Sequence, residues 1–169
     1  MTVNSLIKTN NLKQADAIVL NKKILGMVDH YAIFLGYRNS TPVFVANYKD
    51  GVKEVSINDM KEILQTLQPT AIDRFPGTET QRKQAVNRAL SRVGERAYNY
   101  FSNNCEHFKN WVHSGEHRSE QVKKAGNTVM VASAGTAIYA IANKNPKAGL
   151  LAIGLLLAGA ILNDVAEKK

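Results

Sequence analysis

The carboxy-terminal part of the chain leaves the fewest choices. Ala125 to Asn143 contains no charged residue, and every position from Ala148 to Leu162 is apolar or glycine. Lys124 and Lys144 bracket the first segment, and Asn143-Lys144-Asn145-Pro146-Lys147 is a strong turn signal between the two. The pattern predicts two helices folded back as a hydrophobic hairpin with basic ends. At about 1.5 Å per residue the second segment covers about 23 Å, short of the roughly 30 Å hydrocarbon core of a bilayer. The first segment is less apolar, because it carries Asn127, Thr128, Ser133 and Thr136. Ala148 and Ala152, like Gly154 and Ala158, would let helices approach closely. Insertion into a membrane, or anchoring at its interface, is therefore expected, against a soluble hairpin packed on the rest of the chain. Residues 125–169 are assigned to this hairpin, and residues 1–124 remain for a domain with its own core.

Lysines flank both apolar segments, so the positive-inside rule fixes no orientation. Met1 to Asn11 has no apolar core and does not read as a signal peptide. The expected location is the cytoplasmic side of a membrane, with attachment through residues 125–163.

The balance of 22 basic and 14 acidic residues gives a net charge of +8, which favours anionic surfaces. Nucleic acid is the generic partner for such a charge, but no recognised binding motif accompanies it, and none is expected to bind. Much of the charge falls in and just beyond a predicted helix over residues 79–93, at Arg82, Lys83, Arg88, Arg92 and Arg96. That helix would bury Ala85, Val86, Ala89, Leu90 and Val93 and end at Gly94. Its arginines read as a solvated face, with anionic lipid headgroups as the alternative contact.

Cys105 is the single cysteine, which excludes a disulfide framework and a multi-cysteine metal site. It opens a segment that reads as a helix, with Phe108, Trp111 and Val112 recurring on its own face. Asn104 is a good N-cap, and Glu106 suits the positive end of the helix dipole. A buried structural cysteine is the bland reading. A thiol in a first helical turn is also how many nucleophilic cysteines are prepared, since the dipole stabilises the thiolate.

A nucleophilic thiol needs an imidazole nearby in space, and there are four histidines. His107 points away from its neighbour Cys105 and reads as structural or capping. His113 and His117 flank Gly115, which weakens any zinc pair on an unbroken helix. His30 opens the aromatic and β-branched run Asp29 to Tyr37, which predicts a strand, followed by strands over Val43–Tyr48 and Val52–Ile57 around an Asp50-Gly51 turn. A four-residue loop at Arg38–Thr41 would set Ala32 opposite Asn47, placing His30 and Asn47 diagonally on one face. An imidazole oriented by an asparagine amide is the arrangement of Cys-His-Asn hydrolases. Asn47 merely ending a strand is the alternative.

Together these residues resemble the lecithin:retinol acyltransferase family, which includes small phospholipase A/acyltransferases. The similar features are Asp29-His30-Tyr31-Ala32-Ile33-Phe34-Leu35-Gly36, Asn104-Cys105-Glu106-His107-Phe108 and Ser119-Glu120-Gln121-Val122. Arg88 to Gly94 and Tyr98-Asn99 resemble the family's lead-in to the cysteine, and the likeness covers roughly residues 15–124. The resemblance implies an α+β, circularly permuted papain-like domain, an antiparallel sheet with a cysteine-bearing helix, followed here by the hydrophobic helical hairpin. It implies Cys105 as nucleophile and His30 as general base. The family's third polar residue is usually a second histidine on the next strand, a position that the resemblance sets at Asn47. An asparagine can orient an imidazole but cannot titrate.

The activity implied is a thiol-dependent acyltransferase or acyl hydrolase acting on lipid esters through a Cys105 thioester. It needs no metal and no organic cofactor. The partners expected are a lipid or other acyl substrate and a membrane surface, and the sequence sets no oligomeric state. Two rivals remain: a papain-like cysteine peptidase or amidase using the same dyad, and a non-catalytic membrane-interaction module whose thiol is idle.

Overall fold

A computed structural model of the chain describes residues 2–24, 28–99 and 102–167. In chain order the elements are α1 (Val3–Thr9), β1 (Ala17–Ile24), β2 (Val28–Arg38), β3 (Thr41–Tyr48), β4 (Gly51–Val55), α2 (Ile57–Thr66), β5 (Pro69–Asp73), α3 (Glu79–Ser91), α4 (Cys105–Ser114), α5 (Glu120–Ala142) and α6 (Pro146–Ala166). The architecture is α+β, with six helices among the described residues and one five-stranded sheet. Two compact units contain these elements, Met1–His117 and Arg118–Lys169.

In the first unit the strands run in the order β4-β3-β2-β1-β5, and every neighbouring pair is antiparallel. Alternation along β2 sorts the core. Tyr31, Ile33 and Leu35 join Val45, Phe108 and Val112 beneath α3 and α4, while Ala32 and Phe34 join Phe44, Ala46 and Met60 on the α1 and α2 side.

Asn39 and Ser40 take φ of 49° and 62°, the backbone of a tight two-residue turn that matches the twist of a hairpin. Arg38 therefore pairs with Thr41, and no four-residue loop forms. The register expected from the turn holds as far as Gly36↔Val43, then slips by one residue, so that Ile33 faces Val45. Gly36, at φ 105°, and the Gln14 amide, which donates to the Leu35 carbonyl at 2.7 Å, hold this bulge open. Ile33 therefore does not face Ala46, as a register with Ala32 opposite Asn47 requires.

The outer edge of β4 is partly occupied. Val52 donates to the Glu95 carbonyl at 2.8 Å and accepts from the Gly94 amide at 2.8 Å, so the connector after α3 lies along it. Gly51, at φ 117°, is needed there, since a Cβ would run into the Glu95 carbonyl.

The arginines of α3 do not form a solvated face. Arg82 is buried and pairs with Asp16 at 2.9 Å. Arg88 donates to the Val112 and His113 carbonyls at the end of α4, at 2.6 and 3.1 Å. Arg92 pairs with Glu95 and lies over the Trp111 ring, 5.6 Å from its centroid. Lys83 and Arg96 are exposed. Ala85 and Ala89 are buried as expected, but Leu90 and Val93 are exposed.

Asp16 is the polar centre of this unit. Its carboxylate, 2% exposed, also takes Arg74 at 2.8 Å and the amides of Lys13 and Phe75 at 3.1 Å each. Burial alone would raise its pKa, but the two guanidiniums and two amides overcome that and hold the carboxyl below its usual range.

In the second unit α5 and α6 form the expected antiparallel hairpin, each longer than the uncharged segments alone. Ser119 caps α5, and Asn145 with Pro146 opens α6. Gly126 and Gly159 let the helices approach closely, because a Cβ on Gly159 would sit 2.9 Å from the Gly126 carbonyl oxygen. Ser133 donates to the Ala152 carbonyl at 2.7 Å, and Asn163 donates to Asn127 at 2.9 Å. Both helices are long and apolar enough to cross a membrane, a criterion based on length and composition that core helices also meet. Here they are mostly uncovered: Val131, Ile141 and Leu150 are more than two-thirds exposed. Lys168 and Lys169, within the segment assigned to the hairpin, lie outside the described residues, as does Met1.

Candidate active site

Cys105 occupies the first position of α4, where the chain turns into the helix around Asn104. The Asn104 side chain accepts from the amides of Glu106 and His107, at 2.9 and 3.1 Å, and His107 Nδ1 accepts from the Asn104 amide at 3.4 Å. That reciprocal cap is what Asn104 and the capping reading of His107 predict. Phe108 and Val112 then anchor the helix in the core, and Gly115, in the left-handed conformation, ends it.

The thiol is buried at 3% exposure and meets two groups from the sheet. His30 Nδ1 lies 3.0 Å from Sγ, and the main-chain oxygen of Asn47 accepts from Sγ at 3.0 Å. The structure thus brings together Cys105, His30 and Asn47 from α4, β2 and β3. The side chain of Asn47 turns elsewhere: its Nδ2 donates to the carbonyls of Asn103 and Asn104, at 3.1 and 3.4 Å.

A cavity of about 230 Å³ opens beside the thiol, lined by His30, Asn47, Tyr48, Lys49, Asp50, Tyr98 and Cys105. Sequence reasoning did not single out two of its aromatic residues as site groups. The Tyr48 ring lies 4.9 Å from the His30 ring. Burial, and then the charges of Asp59, Cys105 and Asp50, push the Tyr48 phenol up to about 12, so it stays protonated. The Tyr98 hydroxyl lies 4.0 Å from Sγ. Tyr98 lies in the Tyr98-Asn99 stretch that leads to the cysteine.

Chemically, the arrangement offers a thiol, an imidazole nitrogen 3.0 Å from it and the positive end of a helix. The dipole of α4 favours a thiolate, while the Asn47 carbonyl 3.0 Å away favours the protonated donor.

The other histidines have separate partners. His113 Nε2 donates to the Ala15 carbonyl at 2.8 Å and meets Phe75 edge-on. Burial lowers its pKa more than that carbonyl raises it. His117 Nε2 lies 3.2 Å from the Asn103 side-chain oxygen, and its ring packs 4.8 Å from that of His107. Among the described residues, no three His, Cys, Asp or Glu side chains are grouped to hold a metal ion.

No curated protein sequence matches the chain. The family model described as lecithin retinol acyltransferase matches residues 10–118, from the turn after α1 to the residue after His117. That span holds the whole sheet, α2 to α4, the capped cysteine and the strand histidine. It covers well over half of the sequence, and the chain belongs to the lecithin retinol acyltransferase family.

Proposed function

We propose that this protein is a thiol-dependent acyltransferase or acyl hydrolase of lipid esters, with Cys105 as nucleophile and His30 as general base. Family membership implies acyltransferase or phospholipase-like activity on lipids. The 3.0 Å approach of His30 Nδ1 to Sγ at a capped helix start carries the assignment of roles.

The chemistry balances without an external reagent beyond the acceptor. His30 Nδ1 takes the Sγ proton, and the thiolate attacks the acyl carbonyl. The tetrahedral oxyanion draws on the Cys105 N–H at the start of α4, since the next two amides are held by the Asn104 cap. Its collapse breaks the ester bond, and the departing alkoxide takes the proton from the His30 imidazolium. Water or an acceptor alcohol or amine then attacks the thioester and gives a proton to His30. The second collapse releases the acyl product and the thiolate, which recovers that proton.

In this reading the first unit is a circularly permuted papain-like domain, because the histidine strand precedes the cysteine helix. The catalytic domain occupies residues 1–124. The hairpin of residues 125–169 holds it at a membrane surface, where the substrate resides.

The test incubates the full chain with vesicles of acyl-labelled phospholipid and looks for a Cys105 thioester by intact mass. An adduct that Cys105→Ala abolishes and His30→Gln slows at least 100-fold is expected. Equal turnover by Cys105→Ala would refute the mechanism. Faster cleavage of a matched amide than of its ester would move the assignment to an amidase.

A further inference from the structure

We infer that Asn47 is a positioning residue for the nucleophile: its carboxamide fixes the two residues that deliver Cys105 to His30. The inference rests on the proposed role of Cys105 and adds a function for the third polar residue.

Asn47 is 1% exposed at the site end of β3. Its single NH2 group reaches two successive carbonyls, those of Asn103 at 3.1 Å and Asn104 at 3.4 Å. Each of those oxygens also serves the local backbone. The Asn103 oxygen accepts from the Asn99 amide at 3.2 Å, and the Asn104 oxygen accepts from the Phe108 amide at 3.1 Å as the first bond of α4. The carboxamide thereby ties together a backbone bridge, a helix start and a strand end. The main-chain oxygen of the same residue takes the thiol at 3.0 Å. One residue therefore sets both where the turn before Cys105 lies and where Sγ points.

Few side chains could do this. Two carbonyls in a row require two N–H donors on one atom, which a carboxamide supplies. A neutral imidazole supplies one N–H, and a carboxylate supplies none and would repel both oxygens. The approach of Sγ to Nδ1 leaves little slack, since a shift of about 1 Å in a reacting group can cost about 100-fold in rate.

The experiment measures alkylation of Cys105 by iodoacetamide against pH in the full chain, for wild type, Asn47→Asp, Asn47→His and Asn47→Gln. Circular dichroism of each variant reports folding. Asn47→Asp and Asn47→His are expected to react at least 10-fold more slowly at neutral pH, with the profile displaced to higher pH. Asn47→Gln, which keeps both donors on a longer arm, is expected to recover part of the loss. On any acyl substrate that is turned over, kcat should fall with KM little changed. Wild-type rate and profile in Asn47→His, or in a folded Asn47→Asp, would overturn the inference. If Asn47→Asp does not fold, the Asn47→His and Asn47→Gln comparison decides. The two proposals can fail separately. A wild-type chain with no lipid turnover but an Asn47-dependent thiol would sink only the proposed function. A folded Asn47→Asp with full lipid turnover would sink only this inference.

Discussion

Replacing Asp16 by asparagine tests whether the first unit is organised around one buried carboxylate. Asp16 is 2% exposed and Arg82 9%, so removing the negative charge leaves a buried guanidinium whose remaining counter-ion is the exposed Glu79. Breaking such a pair costs about 3–5 kcal/mol. Several contacts soften the loss. Arg82 keeps the Gln14 carbonyl, the Phe75 carbonyl at 3.5 Å and the exposed Glu79 at 3.6 Å. Arg74 is half-exposed, so its share is under about 1 kcal/mol. The expected cost is therefore about 3 kcal/mol, a large part of the roughly 5–15 kcal/mol that holds a domain together. Urea unfolding followed by fluorescence of Trp111, the only tryptophan, reports this unit. Asp16→Leu combined with Arg82→Met should be less damaging than the sum of the two single changes, because no orphan charge remains. The pH dependence follows from the sign. A carboxyl whose folded pKa is lowered adds stability in full above its unfolded value of about 3.9 and loses it as pH falls through the folded value. Wild type should thus lose stability in acid more steeply than Asp16→Asn. A loss under about 1 kcal/mol in Asp16→Asn, or strict additivity in the double variant, would refute the reasoning.

Two further predictions follow from other parts of the molecule. His113 is held neutral by burial, so its folded pKa lies below the unfolded value of about 6.5. Its contribution is complete above about pH 6.5 and shrinks as pH falls below it, so the urea midpoint should decline from pH 7 to pH 5 and flatten in His113→Gln. A slope unchanged by that substitution would count against the buried neutral ring. In the hairpin, Leu150 and Leu157 are 72% and 59% exposed on α6. Placing Lys at both should cost about 2.5–3.5 kcal/mol at Leu157, near the centre of α6, and less at Leu150 near its start if the helix enters hydrocarbon, and should reduce co-flotation with vesicles at least 10-fold. Flotation equal to wild type would remove the hairpin as the attachment.

How far the sequence could be read depended on whether each signal was local. The two apolar helices, α3, the turn of Asp50-Gly51 and the capped start of α4 all carry their cause within a few residues, and each was legible. The extents of α5 and α6 were underestimated because charged end turns do not interrupt a helix. Strands β1 and β5 escaped: β1 carries the polar run Asn21-Lys22-Lys23, β5 is a short edge strand opened by Pro69, and neither shows a clean alternation. Helix α2 carried a signal that was passed over, the Ser56–Asp59 capping box, and Ile57 read as strand instead. The hairpin register was right beside the turn and wrong beside the site, because the slip at Leu35 depends on Gln14, distant in sequence. The partners of the Asn47 amide, like the pairing of Arg82 with Asp16, are set by tertiary packing and leave no periodic trace.

The connector bound along β4 has a bearing on what kind of molecule can be handled. An open sheet margin is where an extended polypeptide docks, by lending its own main chain as an additional strand. Near the thiol that margin is taken, since Val52 already exchanges both of its outward bonds with Gly94 and Glu95. A guest relying on main-chain pairing finds no free rung there. A fatty acyl group has no amides to pair, so the closed margin costs it nothing.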